Sequence, residues 1–173
     1  MNQTITDILE RCSVRQYTAK QITDEELDLV LKAGLYAANG MNRQSSKIIA
    51  LQNKEDIAVL SKMNANLFNY TKDPFYGAPT VLIVLSEKDC PTGVEDGSLI
   101  IGNMLIAARS LGLGSCWIHR AREEFASETG KSLLKKWGIT GEYIAIGHCL
   151  LGYPAQSCKQ NNPRKPNRII KIR

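Results

Sequence analysis

The chain has 173 residues, 43% hydrophobic and 23% charged, which suits one ordinary domain over residues 1–173 and supplies enough apolar material for a sizeable core. The net charge of +5 is concentrated at one end: from Tyr143 onward there are six basic residues (Lys159, Arg164, Lys165, Arg168, Lys171, Arg173) and no acidic one, so the first 142 residues sum to −1. A basic tail on a near-neutral body argues against a cationic coat for nucleic acid and asks for a local anion such as a phosphate.

Taken in chain order, a first helix is expected over Thr4 to Arg11. The capping pattern Thr23-Asp24-Glu25-Glu26 then opens a second, with Leu27, Val30, Leu31, Gly34, Leu35 and Ala38 at helical spacing. That helix is expected to run from Asp24 to Ala38 and stop at Asn39-Gly40. Short β-rich runs at Lys47–Leu51, Thr80–Leu85, Ser115–Ile118 and Tyr143–Leu151 predict strands. Helices are expected between them at about Ile57–Asn64, Leu99–Leu111 and Glu123–Trp137, giving a mixed α and β domain. The Leu99–Leu111 segment is apolar nearly all round, which suits a core or a subunit interface. The surrounding Ser98–Leu113 stretch is broken by Gly102, Asn103, Arg109 and Ser110, so it falls short of the roughly 20 apolar residues a membrane span needs.

Met1–Asp7 has neither a basic start nor an apolar signal core, so a cytoplasmic location is expected. The five cysteines, Cys12, Cys90, Cys116, Cys149 and Cys158, are odd in number and contain no CxxC pair, and they read mostly as reduced thiols. There is no HExxH, no GxSxG and no complete phosphate loop of the GxxxxGK[ST] type. The glycines of Leu111-Gly112-Leu113-Gly114 follow a helix, where a dinucleotide fingerprint follows a strand. Cys116, His119, His148 and Cys149 have spacings a zinc ion tolerates, but adjacent His148 and Cys149 would point to opposite faces of a strand.

Arg11-Cys12-Ser13-Val14-Arg15 sets two guanidinium groups and a hydroxyl at the end of the first helix. This segment resembles the opening R-x-S-x-R/K signature of the nitroreductase family. Further segments follow in the family's order. Asn39–Ser46 resembles its N-x-Q-P-W loop, Phe75–Pro79 its pre-strand turn, and Asp96–Asn103 the start of its central helix. Ala107–Ile118 is similar to the A-A-x-x-L-G-L-G-S run, Ile146–Pro154 to the late G-Y-P strand, and Pro163–Pro166 to the closing basic motif.

The resemblance implies an α+β fold of the nitroreductase type, with a mixed, mainly antiparallel central sheet flanked by helices and a C-terminal segment exchanged in a homodimer. It implies FMN as cofactor at the subunit interface, NADH or NADPH as electron donor, and a nitroaromatic, quinone or related small molecule as acceptor. No nucleic-acid or membrane partner is implied. Arg11, Cys12 and Ser13, with Arg164 and Lys165 of the tail, would surround the cofactor phosphate. Arg15 would sit by the ring and favour its reduced, anionic form. Asn42 and Gln44 would meet the ring's polar edge, and the backbone of Trp117, Ile118 and His119 would lie near flavin N5. His119 is either a proton donor there or a cap on the strand end. Arg168–Ile172 would add a strand to the partner. Three departures stand out: Ser45-Ser46 replaces the usual Pro-Trp, implying a more polar or mobile wall, Cys12 replaces a basic or imidazole side chain, and His119 stands where small members often have Gly. A flavin-binding sensor without fast turnover, or a binding module built on the basic tail, would be the competing classes.

Overall fold

The computed structural model describes residues 1–158 and 163–173. Lys159 of the basic tail lies outside them. In chain order the elements are α1 (Gln3–Glu10), α2 (Asp24–Leu35), β1 (Ser46–Leu51), α3 (Lys54–Leu67), β2 (Thr80–Glu87), α4 (Gly93–Ser110), β3 (Gly114–Ile118), α5 (Ala121–Ala126), α6 (Glu128–Lys136) and β4 (Tyr143–Gly152).

Local chemistry explains most of the boundaries. At α2 the Glu26 N–H donates to the Thr23 hydroxyl at 3.1 Å and the Thr23 N–H to the Glu26 carboxylate at 2.9 Å, the expected capping box. Helix α3 begins earlier than its apolar spacing suggests because the Asn53 side chain accepts from Asp56 N–H. Helix α4 extends back to Gly93, where Thr92 donates to the Asp96 carboxylate and the small Gly93 and Gly97 let the helix approach Ser86 and Ile146. The helix expected over Glu123–Trp137 is two helices. Ser127 takes an extended conformation (ψ 160°) and its hydroxyl accepts from Gly130 N–H, so α5 ends where α6 starts.

The strands form one sheet in the order β1-β2-β4-β3, every neighbouring pair antiparallel. The expected mainly antiparallel sheet is found: its four strands pair antiparallel, and among the described residues one isolated parallel bridge joins Ser13 to Ser115. Strand β2 is buried on both faces. Leu82 and Val84 pack with Val30, Ile101 and Met104 of α2 and α4, while Val81, Ile83 and Leu85 pack with Leu60, Phe125 and Leu133 of α3, α5 and α6. Helices thus cover both sides of the sheet, and β3 is left as an open edge. Among the described residues no helix is long and apolar enough to cross a membrane.

Candidate flavin site

The segment after α1 lies along the open edge of β3. Val14 N–H donates to Ser115 C=O at 2.9 Å, Ser13 pairs with Ser115 in parallel, and the Tyr17 hydroxyl ties back to Val14 C=O at 2.9 Å. Gly114 permits this approach, since a Cβ there would meet the Val14 side chain at 2.9 Å. Beyond that bridge the chain leaves β3: Gln16 C=O accepts from Ala155 N–H at 3.0 Å, Thr18 N–H donates to Tyr153 C=O at 2.9 Å and Tyr17 bridges Pro154. Arg11 and Arg15 therefore flank the Ser13 bridge, two residues before it and two after. Burial raises the pKa of the Cys116 thiol, against the opposing charges of Arg15 and Arg11 and a hydrogen bond between that thiol and Ser13.

A cavity of about 150 Å³ opens at the Arg11 end, lined among others by Arg11, Arg109, Ser115 and Ser157. Arg109 pairs with Glu10 through its terminal nitrogen, but its buried Nε has no partner among the described residues. Guanidinium and hydroxyl groups around a small cavity, with one buried donor unsatisfied, suit an oxyanion such as a phosphate. Arg109 falls on an unspecified position of the run Ala107–Ser115, so spacing alone offers no cue to it. Cys12 requires a correction. It lines the same cavity but its sulfur is bonded to Cys158, with Cα atoms 6.1 Å apart, so two of the cysteines expected to be reduced are paired. Cys90, Cys116 and Cys149 are free thiols.

At the other end of β3, backbone groups of alternate residues point away from β4. Ser115 gives its outward carbonyl to Val14, and Trp117 continues that outer row toward His119. The Trp117 indole packs on Gly147, where a Cβ would lie 2.8 Å from Nε1, so the residue offers a ligand its backbone. Ile118 is partly buried with the α3 and α5 side chains. His119 is exposed, and its carbonyl accepts from Asn64 Nδ2 at 2.8 Å. The next residue, Arg120, holds a left-handed conformation (φ 76°), with its guanidinium 2.5 Å from Glu123 and over the Phe68 ring. His148 and Cys149 do point to opposite faces: His148 meets Glu124 of α5, whereas Cys149 belongs to the α2/α4 side.

Asn42 and Gln44 lie elsewhere, in the loop before β1. Met41, Asn42 and Gln44 all take φ between 50° and 55°, each at a cost of about 1–2 kcal/mol for a side-chain-bearing residue. Neighbouring groups compensate: Asp96 accepts from Gly40 N–H at 2.9 Å, Asn39 Oδ1 from Gln44 N–H at 3.0 Å, and Asn42 Oδ1 from Gln44 Nε2 at 3.1 Å. In place of a Pro-Trp wall, Ser45 turns inward, 3.4 Å from the Ser86 hydroxyl, and Ser46 begins β1.

Within one chain these two groups do not meet. β1 and β3 are the outer strands of the sheet, and Ser46 pairs near the far end of β2 from the level of Ser115. The separation is three strand spacings, roughly 14 Å, across the sheet and roughly 20 Å along it. Arg164 and Lys165 do not line the cavity at Arg11. They are exposed and line a separate concavity with Asn167, Arg168 and Ile169. Residues 163–173 form no strand within the chain, and Ile169, Ile170 and Ile172 are each more than 80% exposed.

Comparison with known proteins fits this geometry. A family model described as "Nitroreductase family" matches residues 8–153. A protein of Archaeoglobus fulgidus, provisionally named NADH dehydrogenase/NAD(P)H nitroreductase, is 31% identical over 89% of this chain and 87% of its own length. The FMN reductase (NADPH) of Bacillus subtilis is 27% identical over 98% of this chain and 73% of its own. Among solved structures, a nitroreductase with bound FMN from Bacteroides fragilis superposes with a TM-score of 0.90, at 28% identity and full coverage of both chains.

Proposed function

The chain belongs to the nitroreductase family and is an FMN-dependent NAD(P)H oxidoreductase, and from that premise we propose how its residues hold the cofactor and which molecules it serves. FMN lies along the open edge of β3, its phosphate at Arg11, Ser13 and Arg109 and its ring toward Trp117, Ile118 and His119. The observation that carries this reading is the parallel bridge of Ser13 to Ser115, with Val14 N–H donating to Ser115 C=O. It anchors the Arg11–Arg15 segment on β3, with one guanidinium on each side of the bridge.

When bound, FMN supplies the two-electron carrier that takes hydride from NAD(P)H and yields it to an acceptor. The protein's part is positional and electrostatic. Arg11 and Ser13 neutralise and hydrogen-bond the phosphate. Arg15 places a fixed cation where the reduced ring gathers charge. The outward backbone of β3 and the turn after it orient the ring's reactive edge. Acceptors are small nitroaromatics, quinones or chemically similar molecules, and a cytoplasmic site of action follows from dependence on nicotinamide donors.

The working unit is a homodimer of single-domain subunits with FMN at the interface. Two observations support it. Asn42 and Gln44 lie farther from Ser13 than one FMN spans, so a second copy must bring them. Apolar side chains also remain uncovered on α1 (Ile5, Ile8, Leu9), on α4 (Val94, Leu99) and in the tail (Ile169, Ile170, Ile172). Gly102 faces open space on α4, with nothing within 4 Å of an added Cβ, which leaves room for a partner helix.

Two-substrate steady-state kinetics test the catalytic reading. Parallel double-reciprocal lines for NADH or NADPH against a nitroaromatic or quinone are expected, with turnover falling sharply in Arg11→Ala at limiting FMN. Intersecting lines, or an unaffected Arg11→Ala, would contradict it.

A further inference from the structure

Between α3, α5 and β4 lies a polar cluster that the proposed cofactor contacts do not use. Asn64, Glu124 and His148 are each no more than 1% exposed. His148 Nε2 is 2.5 Å from Glu124 Oε2, and Asn64 Nδ2 donates to Glu124 Oε1 and to His119 C=O. The rings of Phe75 and Phe125 flank His148, and its Nδ1 has no partner among the described residues. Such a cluster is an expensive way to fill a core: apolar residues of equal volume serve stability as well or better, and an orphaned imidazole nitrogen adds a desolvation cost. Its retention asks for a positional use.

The geometry supplies one. An amide side chain has two N–H donors, and Asn64 divides them between the Glu124 carboxylate and the His119 carbonyl. The carboxylate thereby fixes the amide, and the amide fixes one peptide group, that between His119 and Arg120. A trans peptide is planar, so holding His119 C=O toward the interior turns Arg120 N–H the opposite way, outward from the core. It also holds Arg120 in a left-handed conformation that a side-chain-bearing residue otherwise avoids. From outside, the Glu123 ion pair and the Phe68 ring secure the same residue.

We infer that Asn64, oriented by the buried Glu124–His148 pair, is a positioning residue that aims the backbone of the His119–Arg120 turn at the reactive edge of the flavin ring. The inference rests on the placement of that turn at the ring in the proposed function. The cluster touches neither cofactor nor substrate; it acts through the peptide it grips.

The test uses full-length protein loaded with FMN carrying 15N at N5. It compares wild type, Asn64→Leu and Glu124→Gln for the N5 chemical shift, the two-electron midpoint potential, FMN affinity and thermal unfolding. Asn64→Leu keeps the volume and removes both donors. It is expected to bind FMN through the undisturbed Arg11 and Ser13 with little loss, to move the N5 shift and the potential, and to slow reduction by nicotinamide about 10- to 100-fold. Glu124→Gln preserves shape and an acceptor for Asn64, and is expected to move the same readouts in the same direction by less. It keeps the test decisive should Asn64→Leu fail to fold. A folded, FMN-loaded variant with wild-type N5 shift and potential would overturn the inference alone. Wild type that binds FMN with an N5 shift equal to that of free FMN would overturn the placement of the turn, and the positioning role with it.

Discussion

Arg15 is an exposed guanidinium two residues after the Ser13 bridge to β3, and its proposed place by the flavin ring would give it a redox use. Removing its charge in Arg15→Gln should leave FMN bound and lower the two-electron potential by about 30–60 mV. That is the equivalent of roughly 1.5–3 kcal/mol for a hydrogen bond to a charged group, and potentiometry on the FMN-loaded protein checks it. The free thiols make a second residue-scale prediction. Burial pushes Cys149 up to about 12 and also raises Cys116, whereas a hydrogen bond with Ser45 lowers Cys90. The thiolate is the reactive form. Iodoacetamide at pH 8, read by mass spectrometry, should label Cys90 and spare Cys116 and Cys149 until the protein unfolds. Arg11, Ser13 and Arg15 were legible in the sequence because their spacing is local. Arg109, Asn64 and the Cys12–Cys158 pair were not, because each acquires meaning from a contact between distant segments; the two cysteines are 146 residues apart.

Element boundaries show how local signals and packing divide the work. The capping box at Thr23 and the β-rich runs identified α2 and the strands, since both signals act within a few residues. Apolar periodicity alone placed the starts of α3 and α4 too late, because their first turns are held by Asn53 and by Thr92 with Asp96 rather than by apolar contacts. It also merged α5 with α6, since the break comes from one serine whose hydroxyl serves the next helix. At that junction an added Cβ on Gly130 would lie 2.2 Å from the Glu124 carbonyl oxygen and 2.6 Å from the Phe125 Cα. Backbone cannot yield as a flexible side chain does, so Gly130→Ala should destabilise by about 2–4 kcal/mol in chemical denaturation.

Helix α6 is also tied to α3, where Asp56 accepts from Lys136 at 2.6 Å and from the Trp137 indole at 2.9 Å. Those bonds, Lys136 foremost, hold the Asp56 carboxyl below its ordinary pKa. A carboxyl depressed in the folded state adds stability that is fully present above its unfolded pKa of about 3.9 and is lost as pH falls through the folded value. Asp56→Asn should therefore cost about 1–3 kcal/mol at pH 7. Denaturation across pH should show that deficit shrinking below about pH 4.

At the scale of the whole molecule, the single chain carries the two groups of proposed cofactor contacts on opposite edges of its sheet. The order of motifs along the sequence indicated the family and its fold, but not that Arg11 and Gln44 would stand on opposite edges of one sheet. Spacing along a chain carries no information about strand order, and residues 163–173 form no strand within the chain. If the site is shared, subunits carrying Arg11→Ala with Ser13→Ala should complement subunits carrying Asn42→Ala with Gln44→Ala. Each mixed dimer would then hold one intact site and one doubly damaged one. Co-refolding equal amounts should restore activity that neither parent shows, and strictly additive parental activities would place both sets in one subunit.

The central claim is that this chain carries FMN on the edge of β3 and passes nicotinamide electrons through it. The most direct test is an anaerobic visible spectrum of the purified protein, supplemented with FMN where needed, before and after NADH or NADPH. The account predicts a bound oxidised flavin spectrum that bleaches rapidly with nicotinamide, returns when a quinone or nitroaromatic is added, and is lost in Arg11→Ala with Ser13→Ala. Failure to bind FMN when it is supplied, or bound flavin that neither nicotinamide reduces, would contradict it.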